Sequence, residues 1–177
     1  GTVWAPGTCG ELVEGTIDGK PFLVTCPIDL GAAVQVNREG TGFPEDFPKT
    51  AQGIRLAAEK VGLSITELGF ERESVLPPGK GMGSSTADIA AAILATGLLG
   101  GYTLSPEEVA QLALQVEPSD GIMFPGLVLF DHREGKWLEE LGEAPEINIL
   151  VADPGGVVDT IAFNQYQDLD KINRKKE

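Results

Sequence analysis

A single histidine in 177 residues leaves little room for nucleophilic chemistry built on a Ser-His or Cys-His pair, because any such pair depends on His132. That residue lies in Asp131-His132-Arg133-Glu134-Gly135, between a strand-like run and a hairpin-like tip, and reads as a solvated turn histidine. Cysteine is equally scarce. Cys9 and Cys26 are isolated and lack ligand spacing, which excludes a thiolate metal framework and fits reduced thiols in a cytoplasmic protein. Basic residues are few: 13 Lys and Arg against 27 Asp and Glu give a formal net charge of −14. Such a balance excludes nucleic acid as the partner, since phosphate backbones are held by clustered cations. The one basic run, Arg174-Lys175-Lys176, reads as a solvated tail. No apolar run is long enough to span a bilayer of about 30 Å. The uncharged stretch from Ile89 to Pro106 breaks at Gly100-Gly101 and reads as a buried helix, so no membrane role is expected. No targeting segment is visible, and the chain opens on Gly1, as a trimmed chain would.

What is present suits one soluble domain with a real core: 42% of residues are hydrophobic and 23% charged. The first third is rich in strand-forming runs: Thr2 to Ala5, Glu11 to Glu14, Pro21 to Cys26 and Leu30 to Val36. They are punctuated by Pro6-Gly7, Gly15 and a hairpin turn at Asp18-Gly19. A loop from Asn37 to Pro48 follows, then Ile54, Ala57, Ala58 and Val61 recur at helical spacing. Residues 64–76 return to strand character. Further on, Ser105, Pro106 and Glu108 spell a capping box ahead of Val109, Leu112, Ala113 and Val116, and Pro118 stops that helix. Glu117 then falls in the last turn, where a carboxylate meets the negative end of the helix dipole; a nearby cation would explain its position. Asp88, by contrast, is favourable in the first turns of its helix for dipole reasons alone.

The most specific string is Pro77-Pro78-Gly79-Lys80-Gly81-Met82-Gly83-Ser84-Ser85-Thr86, which runs into an alanine-rich helix. Alternate glycines let a backbone approach a ligand with its N–H groups bare, and the helix start adds partial positive charge: this is a phosphate cradle. It is not a P-loop, because Gly79-Lys80 is followed by Gly81 and Ser74 stands where the first glycine should be. Nor is it a dinucleotide fingerprint, since Gly79 and Gly81 lead to Ser84 and Gly81 and Gly83 lead to Thr86. A tight glycine turn ahead of a core helix is the plainer alternative.

The string resembles the nucleotide loop of the GHMP kinase superfamily, small-molecule kinases acting on galactose, homoserine, mevalonate and related alcohols. The resemblance implies an α+β fold in the style of that superfamily's N-terminal domain (ribosomal protein S5 domain 2-like), a mixed or antiparallel sheet with packed helices. It implies ATP and Mg²⁺ as cofactors. Pro78, Gly79, Lys80, Gly81, Met82, Gly83, Ser84, Ser85 and Thr86 would bind the nucleotide, Ser85 and Glu117 would hold the metal, and Asp120 and Lys80 would be catalytic. Asp120 lies in Glu117-Pro118-Ser119-Asp120-Gly121, a turn sequence in which an aspartate needs no function.

The opening Ala5-Pro6-Gly7-Thr8-Cys9-Gly10-Glu11-Leu12 resembles the superfamily's first motif with two departures: Thr8 replaces its lysine, and the stretch before Gly10-Glu11 is shortened. This variant, with Leu23 to Ile28, Gly126 to His132 and Asp153 to Thr160, resembles the L-threonine kinase branch associated with cobalamin side-chain synthesis. That implies transfer from ATP to L-threonine, with Thr8 and Glu11 at a small amino-alcohol substrate; Gly155-Gly156, ahead of an expected helix, either meets its carboxylate or is a plain strand-to-helix turn. Alternatives are another GHMP kinase, such as one acting on homoserine, and a non-catalytic nucleotide-binding module. A homodimer is left open. Residues 1–177 are expected to form one such N-terminal domain. The superfamily's C-terminal half would begin about where this chain stops, as in a fragment of a longer enzyme or a stand-alone domain.

Overall fold

A computed structural model describes residues 1–156 apart from 41, 44 and 137. Strands β1 (Thr2–Ile17) and β2 (Lys20–Asn37) form a long antiparallel hairpin, turning at Asp18-Gly19 as the sequence predicts. Both turn residues have positive φ, 52° and 76°, the geometry that matches the twist of paired strands. Three register shifts interrupt the pairing between Pro6 and Val13, where Gly10 has φ 82°. Such bulges bend a strand and redirect its side chains, and Glu11 lies among them.

One edge of β2 pairs with β1; the other carries β3 (Gly69–Ser74) along Ala32–Asn37 and β4 (Leu127–Phe130) along Leu23–Thr25. Strand β5 (Leu138–Gly142) pairs with β4, and every pairing is antiparallel. The strand character expected over residues 64–76 is shorter in fact: a 3₁₀ turn at Ile65–Glu67 precedes β3.

Helix α1 (Pro48–Val61) begins with proline and closes on left-handed Gly62; α2 (Ser84–Leu99) follows the glycine loop, and α3 (Pro106–Leu114) carries the expected capping box. Helix α2 packs against β1, β2, α1 and α3, which is why it is apolar nearly all round: eleven of its residues are buried, Ile89 and Ile93 completely. Its alanines keep neighbours close. Gly53 of α1 lies where an added Cβ would sit 3.4 Å from both isoleucines.

Two expectations need correction here. Regular α3 ends at Leu114, so Glu117 lies just past the helix, although its N–H still reaches the Ala113 carbonyl at 3.1 Å. His132 is not solvated: it is 3% exposed, its carbonyl accepts from the Ser119 N–H, and burial holds its imidazole neutral down to about 4. The hairpin tip is real, but Asp131 supports it by accepting from the N–H groups of Arg133, Glu134 and Lys136. Among the described residues no helix is long and apolar enough to cross a membrane. The helix expected after Gly156 and the basic run Arg174-Lys175-Lys176 lie outside the described residues.

Candidate functional site

The glycine loop has the backbone its spacing requires. Gly79, Gly81 and Gly83 take φ 68°, 69° and 65°, left-handed at every second position, an alternation that turns successive N–H groups toward a common hollow. Gly83 is the N-cap of α2 and provides no side-chain cap, so the first-turn amides of Ser84, Ser85 and Thr86 stay available to an anion. Pro78 leads in from solvent. Met82 faces the other way: its side chain is in the core and its carbonyl accepts from the Thr8 N–H at 3.1 Å, fastening the loop to β1.

On one side of this helix start stands Glu117. Its Oε1 accepts from the Ser85 hydroxyl, and its Oε2 meets Lys49 Nζ at 2.5 Å. Lys49 is the cation that the awkward position of Glu117 called for, and the sequence reading did not name it. A signal was there, because Lys49 occupies the first turn of α1, the wrong end of a helix for a cation. The two misplaced charges meet and relieve each other.

Two further acids, Glu11 and Asp120, lie near the same helix start. Burial, then the charge of Asp120, raises Glu11 from the usual carboxylate range to about 8; burial likewise raises Asp120, to about 6. Thr25 donates to Glu11 Oε2 at 3.0 Å while accepting from the Gly121 N–H at 3.1 Å. Thr86 Oγ1 reaches Asp120 Oδ2 at 3.3 Å. A Cβ at Gly83 would sit 3.0 Å from Asp120 Oδ2 and 2.8 Å from Thr8 Cγ2, so Asp120 and Thr8 both abut the start of α2. Thr8 is 1% exposed and its hydroxyl donates to the Gly10 carbonyl, so what it contributes at the loop is its methyl group.

Lys80 and Asp88 make contacts that their sequence readings did not include. Lys80, expected at the phosphates, is bound to Asp153 at 2.8 Å and to the Gly156 carbonyl at 2.6 Å, tying the loop to the 153–156 turn. Asp153 in turn accepts from the Gly155 N–H, which gives this turn a local cause. Asp88 is more than a dipole partner for α2, because Arg72 of β3 holds it at 2.7 Å.

Among the described residues no group of three or more His, Cys, Asp or Glu could hold a metal ion. Ser85 and Glu117 therefore offer a hard cation only two oxygen-bearing side chains. That donor set fits Mg²⁺, which takes one or two protein oxygens and completes its shell with phosphate and water.

An uncapped helix start, fed by left-handed glycines and flanked by carboxylates, has the geometry of an anion cradle, and a known family shares the sequence pattern. Residues 49–124 match the model of the GHMP kinases N terminal domain. It is 35% identical over 150 residues to the L-threonine kinase of Salmonella typhimurium, covering 84% of this chain and 50% of that protein. The L-threonine kinase of Citrobacter freundii is 30% identical over 164 residues, covering 90% and 56%. The chain thus spans about half the length of the curated relatives it matches. In fold it resembles the Methanococcus jannaschii mevalonate kinase, with a TM-score of 0.65 at 14% identity over 80% of this chain and 56% of that one. The α+β, antiparallel architecture expected from the glycine loop is thereby established.

Proposed function

We propose that this domain binds Mg-ATP and serves the phosphorylation of a small-molecule hydroxyl, most specifically that of L-threonine to O-phospho-L-threonine in cobalamin side-chain synthesis. The observation that carries the reading is the convergence on one helix start of an uncapped anion cradle, a Ser85–Glu117 oxygen pair and the half-buried carboxyl Asp120. The threonine assignment is supported by the two L-threonine kinase relatives and by the Thr8 to Glu11 segment.

The amides of Ser84, Ser85 and Thr86, with the left-handed loop before them, would receive the phosphates. Ser85 and Glu117 would hold Mg²⁺, their mutual hydrogen bond opening to present both oxygens. A metal held there would supply positive charge to offset the negative charge that develops during transfer. Asp120 is suited to take the proton of the attacking hydroxyl: near neutral pH it is ionised yet basic, because burial lifts it while the Thr86 hydroxyl donates to its charged form. Glu11, protonated in the same range, would face the substrate's polar end beside Thr8.

ADP release measured on the full chain with a panel of amino alcohols tests the reading. Turnover should be highest with L-threonine; equal turnover of L-threonine and L-homoserine would remove the threonine preference. ATP binding with no acceptor phosphorylated would reduce the domain to a nucleotide-binding module.

A further inference from the structure

The site needs a cation of its own. Glu11, Glu117 and Asp120 surround a cradle meant for a polyanion, and the lysine inside the loop is spent elsewhere, on Asp153 and the Gly156 carbonyl. Among the described residues, Lys49 is the ammonium that meets one of these acids, 2.5 Å from Glu117 Oε2. It is not sealed there: its side chain is 44% exposed, whereas that of Glu117 is 10% exposed. An ammonium carries three donors, and only the one on Glu117 has a partner among the described residues. Its placement is locally unfavourable, a positive charge in the first turn of α1 with no acid beside it in that turn. Helix formation gives no reason for a lysine there.

From these observations, and resting on the Mg-ATP reading above, we propose that Lys49 contacts the terminal phosphate of the bound nucleoside triphosphate while keeping one N–H on Glu117. Glu117 has two oxygens with two different duties. Oε1 faces Ser85, the side from which a cation would be held, and Oε2 anchors Lys49. A phosphate seated on the first-turn amides around Ser85 then lies one carboxylate away from the Lys49 ammonium, within reach of its two remaining donors. Lys49 would offset charge as the phosphoryl group transfers, and Lys80 would serve as the loop's anchor rather than as a phosphate ligand.

Calorimetric titration of ATP and of ADP, each with Mg²⁺, into the wild-type chain and into Lys49→Met and Lys49→Arg tests this. Lys60, which pairs with Glu108 at 2.9 Å on the surface, provides Lys60→Met as the control. If Lys49 meets the terminal phosphate, Lys49→Met weakens ATP roughly tenfold or more, the scale of a lost charge-assisted contact, and ADP less than about threefold. Lys49→Arg should recover most of the difference, and Lys60→Met should change neither ligand. The ATP-to-ADP ratio is insensitive to partial unfolding, because both ligands see the same folded fraction. Equal weakening of ATP and ADP would mean that Lys49 only positions Glu117, and would overturn the inference while leaving the nucleotide reading intact. Unchanged ATP affinity would also overturn it. A wild-type chain that binds no ATP would overturn both.

Discussion

The two sides of the α2 N-terminus hold the same kind of side chain in different electrostatic surroundings. Glu117 is compensated, with a hydroxyl on one oxygen and an ammonium on the other. Glu11 and Asp120 have threonine hydroxyls and each other, and burial pushes both upward. A carboxylate paired with an ammonium and a hydroxyl is placed to hold a cation, whereas a carboxyl pair starved of cations is ready to hold and pass a proton. Environment, not residue type, divides the labour. On the proposed Mg-ATP reading, the division would let three acids serve one anionic ligand without simply repelling it.

The largest expected effect breaks the proton-handling side alone. Asp120→Asn should lower turnover by roughly 10²- to 10⁴-fold, the usual range for a lost general base, with ATP affinity nearly unchanged. A loss confined to ATP binding would contradict that assignment, and single-turnover kinetics beside direct nucleotide titration separates the two. On the compensated side, Glu117→Gln and Ser85→Ala should each cost roughly 10- to 100-fold in Mg²⁺-dependent nucleotide binding. Wild-type magnesium dependence in both variants would remove the metal role.

Stability against pH sharpens the comparison further. Glu11 is raised from 4.5 to about 8, so the folded chain holds its proton longer than the unfolded chain does; that contribution is present below 4.5 and is lost as pH climbs through 8. Asp120, raised to about 6, acts in the same direction. Denaturant midpoints should therefore fall between pH 5 and 8, and Glu11→Gln should flatten that limb by on the order of a few kcal/mol. His132 supplies the opposite sign as an internal reference. Lowered from 6.5 to about 4, it costs the fold about 3 kcal/mol as pH drops through that window, and His132→Asn should remove only this acid limb. The smallest effect is expected at the loop anchor. Asp153→Asn breaks a pair whose carboxylate side chain is 52% exposed, and should weaken ATP roughly two- to threefold through loop mobility.

Much of this could be read from the chain, and the parts that could not share a cause. The Asp18-Gly19 turn, the capping box at Ser105 and the alternate glycines are local: each is a backbone conformation that a few neighbouring residue types favour or permit. The demand of Glu117 for a cation was also legible, since helix dipoles are local, but the identity of that cation was not. Lys49 and Glu117 are 68 positions apart and meet only because α1 and α3 bring their ends together. The same holds for Glu11 with Asp120, joined across the β1 bulges and the turn after α3, and for Lys80, which left its expected place for Asp153. His132 was misread because solvation follows from what packs over a turn, and the turn sequence cannot show that.

By itself, then, the sequence determined that this protein would present bare amides at the start of a buried helix, because φ preference, capping and apolar periodicity act over a few bonds. Only the tertiary structure decided which charges face that helix start and in what protonation state. Coulomb and desolvation energies depend on distance and burial, and folding sets both by bringing together residues far apart along the chain.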